Sequence, residues 1–507
     1  MDMTERKREA AFVALVTLCA FLLRYWHLTS FGWVADGKML LAGMRTTTYS
    51  LLHFSDADVY GRLARDFLEG RGLSMPFTPP GTTLLLAAVY KILGYDFFTA
   101  KTVYAAMGAL AIPAIYFTGR ELLGKPAARD GIMLCAISFT LIFITGGLNT
   151  ENVYLFATAW AAALFTAIYR EKYFAAAWPG ASAFAFGIVA GASLLSRSEF
   201  ALMLLGFLIL GIARPGWPAA KKMRIAAATA AGIALLVLPW TARNYFYLTE
   251  FNKKLAEVKL PVIVPVAMNG PFNFLEGHNP SANGTYSPAV TQTQLEYGYF
   301  VNLDYNNPDH LRMVRDGYVI GWRYLLEHPA HELAMLPVKL AVFANGFANG
   351  VMLGNFPCGL TGTVESAADS FVPDSKIALW AGMPLALIGV LALWRRREAG
   401  YERWIIVLPL VATFATMMIF YGLSRMVFPA LPYYYLLMAA GIEYLWRATG
   451  LRPARTEAAF FGAVLLLMAA GWLQSREITV VSKTPAGNYG KYHVDPLRPA
   501  DWMGKNN

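Results

Sequence analysis

The most direct chemistry in this chain belongs to two aspartates. Asp56 and Asp58 stand in the run Phe54-Ser55-Asp56-Ala57-Asp58-Val59-Tyr60. Apolar residues then recur at a helical period, at Val59, Leu63, Phe67 and Leu68. A carboxylate at the start of such an amphipathic helix can do three things. It can cap exposed backbone N–H groups. It can act, when partly desolvated, as a general base toward a hydroxyl. As half of an Asp-x-Asp pair it can hold a divalent cation through hard oxygen ligands. The spacing alone leaves all three open. The seven histidines show neither His-x-x-x-His nor His-Glu-x-x-His spacing, so no zinc site is expected. Cys19, Cys135 and Cys358 lie far apart, with no Cys-x-x-Cys pair. A glycine-rich phosphate loop is also missing from the sequence, which argues against nucleotide use.

The elements that must position these residues are membrane helices. Of 507 residues, 56% are apolar and 15% charged, and mean hydropathy is +0.42. A soluble domain carries roughly 25% charged residues. Apolar segments fall near 9–27, 81–94, 98–118, 131–146, 150–169, 178–195, 199–212, 225–239, 333–350, 377–394, 404–422, 426–446 and 457–473. Their length suits helices crossing hydrocarbon rather than the short alternating strands of a barrel. The formal charge of +10 gathers beside the ends of these segments. It reads as a topology signal and not as a nucleic-acid surface. The clusters are Arg6–Arg8, Arg120/Lys125/Arg129, Arg170/Lys172, Arg214/Lys221/Lys222/Arg224, Arg395–Arg397 and Arg447/Arg452/Arg455. Placing all of them in the cytoplasm gives about 11 crossings, with 81–118 crossing once and 333–350 not crossing; full passage of both gives about 13 and inverts the middle. The 11-crossing arrangement satisfies every cluster. It puts Glu151, Arg197, Arg243 and Arg425 on the outer face with two long polar segments, 28–80 and 240–332. The first contains the amphipathic helix; the second, rich in Asn, Pro, Gly and Tyr, reads as irregular. The expected architecture is an all-α polytopic domain over 1–473 and a short outer tail over 474–507.

Several stretches together resemble the GT-C class of glycosyltransferases, in particular the family-39-like group of protein O-mannosyltransferases and lipid A aminoarabinose transferases. They are Asp56-Ala-Asp-Val-Tyr60 with Gly70-Arg-Gly72, Thr78-Pro79-Pro80-Gly81 and Tyr90-Lys91-Ile-Leu-Gly94, then Asn149-Thr150-Glu151-Asn152, Leu195-Ser196-Arg197-Ser198-Glu199, Pro239-Trp240-Thr-Ala-Arg243-Asn244, Asn269-Gly270-Pro-Phe-Asn273 with Gly277-His-Asn279-Pro280, and Arg425-Met-Val-Phe-Pro429-Ala-Leu-Pro432. The last departs from the family's R-x-R-x-P-x-x-P by Val427. The resemblance implies an inverting transferase of the cell membrane, the inner membrane in a bacterium, with its site on the extracytoplasmic side. It implies a polyprenyl-phosphate-linked sugar donor and a lipid, glycan or protein acceptor. Asp56 matches the catalytic base, with Asp58 beside it. Arg197, Arg243, Arg425 and Lys91 are the candidates for the donor phosphate, because guanidinium meets phosphate oxygens bidentately. Glu151, Tyr60, Asn244, Asn269, Asn273 and Asn279 are the candidates for substrate binding. No cofactor is expected beyond a divalent cation at Asp56/Asp58, which the resemblance leaves undecided. The same arginines would be mere interfacial anchors if they only snorkel. An O-antigen ligase or polymerase would carry its decisive loop late in the chain rather than early. A secondary transporter would show paired repeats, and the two halves here show no similarity.

Overall fold

The computed structural model describes residues 3–30, 32–33, 39–40, 56–73, 75–286, 305, 307–348, 375–395, 400–450 and 460–462. The chain is helical apart from one two-residue antiparallel pairing, Gly32–Trp33 with Met39–Leu40, among these residues. The helices are α1 (Met3–Ser30), α2 (Asp56–Leu68), α3 (Gly81–Leu93), α4 (Phe97–Leu122), α5 (Lys125–Ile137), α6 (Phe139–Phe143), α7 (Thr150–Tyr169), α8 (Phe174–Ala177), α9 (Pro179–Ser196), α10 (Phe200–Ala213), α11 (Ala219–Lys254), α12 (Asn269–Gly277), α13 (Pro308–Glu327), α14 (Pro329–Ala348), α15 (Ser375–Arg395), α16 (Arg403–Ile419) and α17 (Leu431–Thr449). Among the described residues, α1, α4, α7, α9 and α11 are long and apolar enough to cross a membrane. The 26 residues of α4 reach ~39 Å, more than a bilayer core. Helix α3, at 13 residues, is too short to cross upright.

Two expectations change. Segment 131–146 is not one straight helix: α5 ends at Ile137 and the chain bends by 63° into the helical stretch Thr140–Gly146. Ser138 Oγ accepts from the Leu141 amide at 3.4 Å and pairs with the Tyr435 hydroxyl at 2.9 Å, so a local cap competes with helix continuation. Segment 240–332 is also more regular than its composition suggests. Helix α11 runs through Pro239 to Lys254, and α12 and α13 follow. The run beyond Pro239 is braced from outside: Trp240 Nε1 donates to the Val266 carbonyl at 2.6 Å and Asn244 Nδ2 to the Val264 carbonyl at 2.9 Å. Tertiary packing thus carries a helix that proline would otherwise weaken. Most of 28–55, the stretch 287–304, segment 457–473 (save 460–462) and the tail 474–507 lie outside the described residues.

Close approach of backbones holds the bundle together. A Cβ on Gly187 would collide with the Thr229 carbonyl, and one on Gly232 with the Phe184 carbonyl, so α9 and α11 meet through small residues. Glycines 389 and 441 do the same between α15 and α17. This is how apolar helices gain dispersion contacts where lipid offers no hydrophobic penalty.

The charged termini sort into two ends. At one, Lys125 pairs with Glu5 (3.0 Å), Lys172 with Glu121 (2.5 Å), Arg170 with Glu402 (2.6 Å) and Lys221 with Glu171 (2.6 Å). Four of the basic clusters therefore share that end. The tips before α7, between α9 and α10, and before α17 meet at the other.

Candidate functional site

At that second end, four charged side chains from three distant tips interlock. Glu151 lies in the first turn of α7, where the helix dipole favours a carboxylate. The tip leading to it is closed by Asn152, whose Nδ2 donates to the Ile144 and Gly147 carbonyls. Arg197 is the extended residue that ends α9, and its amide still donates to the Ser193 carbonyl at 2.8 Å. Its side chain faces two carboxylates. One terminal nitrogen donates to Glu151 Oε1 at 2.8 Å. Nε and the other terminal nitrogen form a fork on Glu199, at 2.7 and 3.3 Å. Arg425, in the 3-10 turn Ser424–Ala430 before α17, brings its Nε to 3.5 Å from the same Glu151 oxygen. The Glu151 side chain is only 2% exposed and that of Arg197 13%. Burial disfavours the Arg197 charge, but Glu199 and Glu151 outweigh it and hold the guanidinium above its ordinary range. A narrow cavity opens beside the cluster, lined by Glu199, Tyr154, Met203, Thr416, Met426 and Pro429 among others.

The first long polar segment, 28–80, reaches this cluster along two routes. Helix α2 starts at Asp56, and its Tyr60 is buried in an aromatic patch with Tyr90 of α3 and Tyr104 of α4. Tyr104 in turn lies within electrostatic reach of Tyr60, Tyr90 and Glu151. The backbone of α2 therefore enters the neighbourhood of the glutamate; the side chains of Asp56 and Asp58 lie outside the described residues. The second route is Gly81, which opens α3. A Cβ there would sit 2.7 Å from Ser196 Oγ and 2.8 Å from the Leu195 backbone, immediately before Arg197. We expect Gly81→Ala to force α3 off α9 and lower stability by about 1–3 kcal/mol. Thermal unfolding of the purified variant checks this; an unchanged midpoint would mean that the contact yields freely.

The two long polar segments also touch. The amides of Met268 and Asn269 donate to the carbonyls of Pro76 and Phe77, at 2.9 and 3.0 Å, and Phe77 meets Phe272 edge to face at 5.7 Å. Asn269 therefore begins α12 against the first segment, and Asn273 is half-buried one turn later. The other candidates are placed differently. Arg243 stacks on Trp240 and Tyr247, at 5.0 and 4.5 Å, and donates to Asn244 Oδ1. Asn244 is fully buried and bonded to backbone. Asn279 directs its amide to the Leu275 and Glu276 carbonyls and its oxygen to the Ser281 amide, closing α12. Lys91 is exposed on α3.

Sequence reasoning passed over Glu199 as a partner for Arg197, although its place two residues on was the available signal. It passed over Glu276, whose carboxyl burial pushes up to about 8. It also passed over His278, examined only for metal spacing. Among the described residues, no group of three or more His, Cys, Asp and Glu could hold a metal ion.

Residues 78–242 match the family model of dolichyl-phosphate-mannose-protein mannosyltransferase. No curated protein matches the chain by sequence. Among solved structures it is similar to the apo oligosaccharyltransferase of Archaeoglobus fulgidus, at 16% identity and a TM-score of 0.51, covering 98% of this chain and 58% of that one. The same enzyme tethered to an acceptor peptide containing the NVT sequon gives 16% identity and 0.50 over 94% and 55%. This chain thus spans somewhat over half the length of that relative. ArnT from Cupriavidus metallidurans bound to undecaprenyl phosphate aligns at 12% identity over 92% and 88%, with a TM-score of 0.36. The chain is a polytopic helical membrane protein that shares the fold of that oligosaccharyltransferase, and over residues 78–242 it matches the dolichyl-phosphate-mannose-protein mannosyltransferase family.

Proposed function

We propose that this chain transfers a sugar from a polyprenyl-phosphate-linked donor to an extracytoplasmic lipid, glycan or protein acceptor, with inversion. The observation that carries the reading is the meeting of Glu151, Arg197 and Arg425 at one end of the bundle, beside the backbone of α2. Charges at the end of a membrane bundle are costly and serve a polar ligand or pathway. The chemistry is then direct. Asp56 at the head of α2 takes the proton of the acceptor hydroxyl. The hydroxyl oxygen attacks the anomeric carbon, and the polyprenyl phosphate leaves with the bonding electrons. A guanidinium near the leaving oxygens lowers the barrier because it meets charge that grows in the transition state. The match of residues 78–242 to the dolichyl-phosphate-mannose-protein mannosyltransferase family supports the donor class. In this reading the basic end of the bundle is cytoplasmic, and 28–80 and 240–332 are outside. The transmembrane domain is 1–473.

We give the arginines different roles. Arg197 has its fork on Glu199 and its remaining donor on Glu151, so it holds the two carboxylates in place. Arg425 reaches the same Glu151 oxygen from the separate turn before α17, and we assign it to the donor phosphate. Arg425→Lys keeps the charge and loses the planar fork, so we expect turnover to fall ~10-fold and Arg425→Met to fall ~10²-fold or more, as when one charge-stabilising donor is removed. The assay is transfer of label from a purified polyprenyl-phosphate sugar in detergent, paired with mass spectrometry of envelope glycans from a deletion strain. Full activity in both variants would remove Arg425 from the phosphate site.

A further inference from the structure

Helix α16 ends in the bundle with its last carbonyls short of partners, as every helix does. Here they are taken by two buried donors, Lys339 of α14 and His278 just after α12. Lys339 Nζ donates to the Met418 and Phe420 carbonyls at 3.0 and 2.8 Å. His278 Nε2 lies 2.7 Å from the Ile419 carbonyl. A carbonyl can only accept, so Nε2 carries the proton. His278 Nδ1 meets Glu332 Oε2 at 2.9 Å, which fixes the ring. The backbone follows suit. A Cβ on Gly277 would strike the Phe420 carbonyl, and the Gly422 amide donates to the Gly284 carbonyl at 2.9 Å. Residues 277–285 therefore lie along 419–422, and Arg425 follows three residues later. Its Nε sits by Glu151.

We infer that His278, oriented by Glu332 and assisted by Lys339, is a positioning residue for Arg425: by capping the end of α16 it sets the turn that delivers the guanidinium. The inference rests on the functional reading above only for its effect on turnover. A shift of about 1 Å in a reacting group can cost ~10²-fold in rate, so a cap this close to Arg425 has leverage without touching substrate.

The test uses the full chain with His278→Asn and His278→Gln, each alone and combined with Arg425→Met. Gln places an N–H near the Nε2 position and Asn does not. Hydrogen exchange by mass spectrometry over 418–426 is read beside transfer from a purified polyprenyl-phosphate sugar. The expected result is exchange at least tenfold faster and turnover about tenfold lower in His278→Asn, with Gln restoring most of both. In the Arg425→Met background the histidine change should cost no further turnover, since contacts that act through one residue are not additive. Unchanged exchange in His278→Asn, or an equal turnover loss with and without Arg425, overturns the inference. If the native chain transfers no sugar, the functional reading fails, and the exchange result alone still decides the positioning role.

Discussion

Asp56→Asn should lower sugar transfer by ~10²–10⁴-fold while leaving expression and binding of the polyprenyl phosphate intact, the loss expected when a general base is removed. The substitution is informative because it separates two roles. Asn caps a helix about as well as Asp, so a capping contribution at the start of α2, which begins at Asp56, would survive the change. What disappears is the ability to accept a proton. The measurement is single-turnover transfer with saturating donor, beside donor binding in detergent. Native turnover in Asp56→Asn would return the residue to a capping role. A dead Asp58→Asn beside an active Asp56→Asn would exchange the two assignments. Loss of both activity and donor affinity in Asp56→Asn, restored by added divalent cation, would instead support the Asp-x-Asp pair as a metal site.

The bundle was legible because its physics is local. A run of apolar residues long enough to cross hydrocarbon, flanked by Arg and Lys, states both where a helix lies and which end is which. Charge placement alone brought Glu151, Arg197 and Arg425 to one end, and the structure joins them within 3.5 Å. What stayed hidden depends on partners far away in sequence. The bend after α5 needs the Ser138–Tyr435 hydrogen bond, across 297 residues. The continuation of α11 past Pro239 needs carbonyls from 264 and 266, which no helix propensity records. Composition called 240–332 irregular because Asn, Pro and Gly dominate it, yet α12 and α13 form where the chain folds back on Met75–Phe77 and α11. His278 was read for metal ligation, since a sequence shows spacing and not the exposed carbonyls of a helix 140 residues on. The candidate asparagines divided for a similar reason: an Asn in a polar loop serves its own backbone as readily as a sugar, and Asn279 does the former.

Arg197 is where the structure changes the expected outcome of a mutation. As a phosphate ligand, its loss would affect donor binding and leave the fold alone. As the strut between Glu151 and Glu199, its loss leaves a carboxylate whose side chain is 2% exposed facing a second one, with Arg425 as the nearer remaining cation at 3.5 Å. Removing one partner of a buried pair costs about 3–5 kcal/mol, because the remaining charge stays desolvated. Arg197→Met should therefore lower the thermal midpoint sharply or prevent accumulation of folded protein. Arg197→Lys should fall between, since a single ammonium cannot reproduce a fork on Glu199 and a third donor on Glu151. The decisive variant is the double substitution Arg197→Met with Glu151→Gln. Neutralising the buried carboxylate removes the desolvated charge, so stability should return in large part even though a second residue has been changed. Thermal unfolding in detergent reads all three. If Arg197→Met instead unfolds like the native chain and only loses affinity for polyprenyl phosphate, the ion pairs with Glu151 and Glu199 are dispensable to the fold, and Arg197 rejoins Arg425 on the leaving group.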